Sequence, residues 1–264
     1  NAHTYLVRQA NNLGAWGAHS ARDTLAARQL RELDPDNTTI YLSEQLFNQR
    51  VIQFLAPQAR NSRPLLPADA LPLREPGDRP VAILLERGQA ELAGEIMRTY
   101  PNAQRIESLN PEGHAELFTL IIPPEEIRRI QGLEARYWAG EAVDGDPHST
   151  RIEPNLDASW PGAAPPSLPF TAVWDTILYV PEYGEYEFAL QSPGAATAWL
   201  DLLPPLSSAE PGEQHASVTL AQGKHRLRLR ASGGEGALRL SWRTVQDRPF
   251  ETVPPWAFYQ PSLV

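Results

Sequence analysis

The chain has 264 residues, 42% of them hydrophobic, a formal net charge of −9 and no cysteine. That length holds two domains or one large one, with enough apolar content for a buried core. The acidic balance excludes a general nucleic-acid footprint, and the missing cysteine excludes disulfides, thiolate metal sites and cysteine nucleophiles. No apolar run approaches the roughly 20 residues that span a bilayer. The longest, residues 117–122, is strand-sized. No signal-peptide pattern is visible, and Asn1-Ala2 resembles the scar of tag removal. The chain is therefore expected to be an excised part of a longer protein, whose targeting or membrane segments would lie outside it.

From the N-terminus, Ser20 and Asp23 form a capping-box pattern. Ala21, Leu25, Ala26, Leu30 and Leu33 then recur at helical spacing, until Asp34-Pro35-Asp36-Asn37 stops the helix. Residues 38–42 read as a strand and 46–56 as a second helix ended before Pro57. A proline-rich loop follows, from Pro57 to Pro80. Residues 81–85 read as a buried strand. Residues 89–100 read as a helix with Leu92, Ile96 and Tyr100 on one face, and residues 103–108 and 116–122 as further strands. This alternation predicts a small α/β domain with a partly parallel sheet. Pro123-Pro124 closes it, and residues 125–130 read as a short polar connector.

Beyond Leu133 a two-residue period takes over. Tyr186, Phe188 and Leu190 alternate with polar neighbours, as do Leu227 and Leu229, and Leu238, Leu240 and Trp242. Each such run predicts a strand with one wet face. Residues 181–184, Gln222-Gly223 and residues 233–236 read as hairpin turns. The predicted whole is a two-domain α+β chain. A small α/β domain (1–124) and a connector (125–132) lead into an antiparallel β-sandwich (133–264).

The order of residues in that second half carries a resemblance. Trp174 to Ser192 reads W-x-x-x-L-x-V-P-x-x-G-x-Y-x-F-x-L-x-S, followed by W-L-D at Trp199 to Asp201. Val218 to Arg230 reads V-x-L-x-x-G-x-H-x-L-x-L-R, and Leu238 to Trp242 reads L-x-L-x-W. This resembles the PA-fourteen module, the β-sandwich named after anthrax protective antigen. The resemblance implies a sandwich over residues 133–258 and a place at the cell surface. Its members bind different sugars or serve as spacers. Sugar-binding adhesins of the family hold calcium with two adjacent aspartates. This chain has no adjacent aspartates, and Leu202 stands where glycine usually follows the aspartate that Asp201 matches. The resemblance therefore implies no obligatory metal and no cofactor. More weakly, Tyr5 to Leu33 is similar to the soluble tail of bacterial dolichyl-phosphate-mannose-type membrane glycosyltransferases. That implies a parent membrane domain as partner, a location on the extracytoplasmic face of a bacterial membrane, and catalytic residues outside this chain.

Four tryptophans, Trp138, Trp160, Trp174 and Trp199, are candidates for stacking on sugar rings, the alternative being packing in the core. Trp160 stands beside Pro161-Gly162 in a loop, and with Trp199 and Asp201 it makes the candidate carbohydrate site. Arg226, Arg228 and Arg230, with Arg239 and Arg243, are expected on one face of two neighbouring strands. They would form an anion platform there, or pair with Glu185, Glu187 and Glu235. Asp144-Gly145-Asp146 resembles a calcium loop. The pattern fails at Ser149 and Asn155, where glycine and glutamate are required. The six histidines show no metal spacing, and Glu125-Glu126 sits in a polar connector. No glycine-rich turn follows Leu42, and only Gly88 follows Leu85, against a nucleotide site. No catalytic residue is assigned. The expected function is a non-catalytic, exported region that binds glycan or positions a glycosylated acceptor. The alternatives are a spacer or protein-interaction module, and a sugar hydrolase.

Overall fold

The structure, a computed structural model, describes residues 21–66, 70–160, 169–203, 206–233, 235–244 and 248–264, except the side chains of Gln58 and Trp160. Its contacts divide the chain into two units, residues 1–129 and 130–264.

The first unit holds one five-stranded sheet, built from β1 (Thr39–Ser43), β2 (Arg63–Leu65), β3 (Val81–Glu86), β4 (Gln104–Leu109) and β5 (Ala115–Ile122). Strand β3 is buried at every position, as a continuous apolar run predicts for a strand covered on both faces. It pairs parallel with β1 and antiparallel with β5, giving the order β2-β1-β3-β5-β4. The sheet is thus partly parallel. Helix α1 (Ala21–Glu32) contributes Ala26, Ala27 and Leu30 to a core shared with Ile40, Leu42 and Leu84. Ser20, the predicted cap of α1, lies outside the described residues.

Two predictions for this unit fail. The helix expected over 46–56 is two pieces, α2 (Glu44–Phe47) and α3 (Arg50–Leu55). Ser43 caps the first by accepting from Leu46 N at 3.3 Å, and Asn48 ends it by donating to Glu44 O. After α4 (Ala90–Thr99), the segment read as a polar connector is helix α5 (Pro124–Ile130). Proline at a first turn, carboxylates at Glu125 and Glu126 and arginines in the last turn all suit a helix. Ile127 and Ile130 are fully buried, and buried Glu126 accepts from Asn102 at 2.7 Å.

The second unit is a two-layer antiparallel sandwich. Its strands are β6 (Leu133–Ala139), β7 (Ser149–Glu153), β8 (Asp157–Trp160), β9 (Phe170–Val180), β10 (Gly184–Ser192) and β11 (Ala196–Leu200). They continue with β12 (Leu206–Ser208), β13 (Gly212–Leu220), β14 (Gly223–Gly233), β15 (Gly236–Arg243), β16 (Glu251–Thr252) and β17 (Phe258–Tyr259). The larger sheet runs β12-β11-β14-β9-β6-β7, with β17 beside β9. The smaller runs β13-β10-β15-β16, with β8 beside β15. Tyr137, Phe170, Trp174, Leu227 and Leu229 of the larger sheet share one core with Tyr186, Phe188, Leu240 and Trp242 of the smaller. Tyr137 and Trp174 meet edge to face at 5.8 Å, a favoured aromatic geometry. Trp174 Nε1 donates to Glu153 Oε2 at 2.7 Å, so the buried indole keeps a polar partner.

The three turns read as hairpins are not hairpins. β9 leads to β10, β13 to β14, and β14 to β15, and in each case the chain passes from one sheet to the other. A tight reversal can return a strand beside its predecessor or carry it across a core about 10 Å thick, and period-two alternation is the same in both. One consequence corrects the arginine platform: Arg239 and Arg243 lie in the smaller sheet, whereas Arg226, Arg228 and Arg230 lie in the larger.

Candidate functional site

Strand β14 turns His225, Leu227, Leu229 and Ala231 inward and leaves Arg226, Arg228 and Arg230 exposed on the outer face. Register then sets their neighbours. Arg228 stands opposite Trp199 of β11 on one side and Asp175 of β9 on the other, in one row across the sheet. Arg228 forks onto Asp175, Nε to Oδ1 at 2.7 Å and Nη2 to Oδ2 at 3.2 Å. That hydrogen bond raises the Arg228 pKa above its ordinary value. Arg136 of β6 donates to the same carboxylate. Asp175 is buried and is the counter-ion of both guanidiniums.

Beyond β11 the chain turns at Asp201, with φ of 51°. It is the one non-glycine residue with positive φ among the described residues, and aspartate tolerates this conformation when its side chain bonds locally. Here Oδ1 accepts from Arg226 N at 2.7 Å and Oδ2 faces His225 Nδ1 at 2.6 Å. Asp201 N donates to Arg226 O at 2.9 Å. His225 Nε2 faces Ala221 O at 2.8 Å. Both ring nitrogens therefore face oxygen acceptors, one from Asp201 and one from the backbone.

Trp199, Asp201, Arg226 and Arg228 line an open groove of about 410 Å³ on this face. Trp199 is 37% exposed, whereas Trp138, Trp174 and Trp242 are at most 8% exposed. Trp138 Nε1 donates to Gly145 O at 3.2 Å, so the Asp144-Gly145-Asp146 turn anchors an indole. Among the described residues no group of three or more metal-ligating side chains converges.

The structure thus brings Trp199, Asp201, Arg226 and Arg228 together. Arg230 lies on the same face, opposite Thr197, one step beyond the groove lining. Trp160 is not grouped with Trp199: its backbone ends β8 in the opposite sheet, paired with Gly236, and its side chain lies outside the described residues. The expected arginine partners are corrected as well. Arg228 pairs with Asp175 and Arg239 with Asp157, and only Arg243 takes an expected glutamate, Glu187, at 2.5 Å. Neither Arg226 nor Arg230 has an ion-pair partner among the described residues. Sequence reasoning missed Asp175 and Arg136. The signal available was one charged residue inside the apolar run Phe170 to Val180.

In the first unit a depression of about 340 Å³ lies where β1, β2 and β3 end. Its buried Glu86 is already held by Arg22 at 2.6 Å and by Ser43 Oγ at 3.2 Å.

Residues 130–242 match the PA14 domain family.

The PA14 match covers a little under half of the chain. Solved structures similar to it include an anti-sigma factor domain-containing protein from Clostridium clariflavum. It has 17% identity and a TM-score of 0.42, over 49% of this chain and 47% of that one. A second is the PA14 sugar-binding domain from an RTX adhesin, with 16% identity and a TM-score of 0.40, over 49% and 98%. A third is the epithelial adhesin 9 A domain from Candida glabrata in complex with Galβ1-3GlcNAc, with 9% identity and a TM-score of 0.40, over 48% and 88%. The chain spans about half the length of the anti-sigma factor domain-containing proteins it matches. No curated protein is detectably similar to it.

Proposed function

We propose that the PA14 region binds carbohydrate in the groove of Trp199, Asp201, Arg226 and Arg228. The observation that carries this reading is the exposed Trp199 indole beside guanidinium donors in an open groove of about 410 Å³. An indole face suits the apolar face of a pyranose, and flanking donors suit its hydroxyl oxygens. The volume is in the range of small-ligand sites. The family match supports the same reading. The proposed binding uses no metal: Asp201 serves to hold the turn, through Arg226 N and His225 Nδ1. The test is a glycan array and titration calorimetry with wild type and Trp199→Ala. Binding that is lost in the variant supports the reading, and no saccharide binding by the folded wild type sinks it.

The finer proposal is that both units form the exported, non-catalytic part of a membrane-embedded glycosyltransferase. The first unit would dock onto the membrane domain or position a glycosylated acceptor on the extracytoplasmic face. Its support is the resemblance of Tyr5 to Leu33 to such tails, of which residues 5–20 lie outside the described residues. A full-length reading frame without membrane spans upstream of Asn1 would contradict it. A protein-interaction role has its own observation: Leu202 is fully exposed, with Leu203 beside it at 36%. A binding partner lost on Leu202→Ser, with saccharide binding intact, would favour that role.

A further inference from the structure

We infer that the saccharide taken by this groove is acidic, with a carboxylate or sulfate directed to Arg226. The inference rests on the carbohydrate reading and adds the chemical class of the ligand. It follows from which charges around the groove are already spent. Asp201 lines the groove, but Oδ1 accepts from Arg226 N and Oδ2 faces His225 Nδ1, so both of its oxygens are already turned toward partners inside the protein. Arg228 is forked onto Asp175, which also takes Arg136. Arg226 is left with an exposed guanidinium and no ion-pair partner among the described residues. In a chain of net charge −9, the unspent charge in the groove is positive.

The hydrogen-bond inventory points the same way. The groove side chains offer more donors than acceptors: Asp201 already takes one contact at each oxygen, whereas the Trp199 indole and the two guanidiniums can only donate. A carboxylate or sulfate is acceptor-rich and so complements this donor excess, and a guanidinium fork matches its geometry. Register extends the strip. Arg226, Arg228 and Arg230 step along β14 at about 6.8 Å intervals, and Arg230 is also without an ion-pair partner among the described residues. An oligosaccharide with a second acidic ring would reach it.

The experiment is calorimetry on the whole chain with matched oligosaccharides that differ only in their terminal ring: glucose, glucuronic acid or a sulfated glucose. Wild type should bind an acidic member about tenfold more tightly than the neutral one, as one charge-assisted hydrogen bond implies. The preference should shrink with added salt. Arg226→Gln should abolish it, with an unchanged melting temperature, because the Asp201 bond uses only the backbone of residue 226. The uronate and sulfate arms separate the two sources of the acidic group. Equal binding of neutral and acidic members overturns the inference and leaves the carbohydrate reading intact. An acidic preference that survives Arg226→Gln overturns the assignment to Arg226. No binding of any member overturns the inference, as does equally tight binding of polyglutamate, since charge alone would then suffice; the glycan array decides the carbohydrate reading separately.

Discussion

Asp201 Oδ2 and His225 Nδ1 stand 2.6 Å apart, and this contact ties the turn after β11 to the first inward residue of β14. It holds Asp201 at a φ of 51° and so orients the loop that lines the groove. Replacing Asp201 with alanine removes the acceptor from a buried histidine and from Arg226 N. We expect a loss of roughly 1–3 kcal/mol in urea unfolding and weaker saccharide binding. Asp201→Asn, which keeps an acceptor and tolerates the left-handed backbone, should lose less. Equal stability of the alanine variant and wild type would contradict this role.

Removing divalent cations should not change ligand binding. Asp201 is engaged through both oxygens within the protein, and no metal-ligating group of three converges among the described residues. Calorimetry in EDTA and in calcium should give the same affinity. A calcium requirement would contradict the metal-free reading.

Asp175 is the shared counter-ion of Arg136 and Arg228 on three adjacent strands. Asp175→Asn should destabilise the sandwich by roughly 2 kcal/mol, below the cost of a fully buried pair because Arg228 is half exposed. A double-mutant cycle with Arg228→Ala should show coupling between the two positions. Additive effects would indicate that the pair contributes nothing beyond its separate parts.

In the first unit, burial pushes the Tyr41 phenol up to about 12, helped by its 2.5 Å hydrogen bond to Glu75 and opposed by Arg63. The folded state therefore holds this proton more tightly than the unfolded chain does, where a tyrosine titrates near pH 10. The associated stability is fully present below about pH 10 and is lost as the pH rises towards about 12. The difference in phenolate absorbance between wild type and Tyr41→Phe should have its midpoint near 12. A midpoint near 10 would contradict the buried geometry.

Three strands of the sandwich were legible because alternation is a local property: Tyr186, Phe188 and Leu190, Leu227 and Leu229, and Leu238, Leu240 and Trp242 all face the core. Sheet membership was not legible. The turns at 181–184, 222–223 and 233–236 specify a reversal, and whether it crosses the core depends on contacts distant in sequence. Arg239 and Arg243 were grouped with Arg226 for that reason. Asp175 was missed because its meaning lies in the register of β14 on β9, which no local pattern encodes. Helix α5 was missed although its caps and charges follow helical rules, because a double proline reads first as a stop.

Trp199 and Arg226 are proposed to form a carbohydrate site on the outer face of the larger sheet. Titration of a matched acidic and neutral oligosaccharide pair into wild type, Trp199→Ala and Arg226→Gln tests it most directly. Wild type should bind saturably, Trp199→Ala should lose most affinity for both, and Arg226→Gln should lose the acidic preference. Wild-type affinity in a folded Trp199→Ala variant would contradict the proposed site.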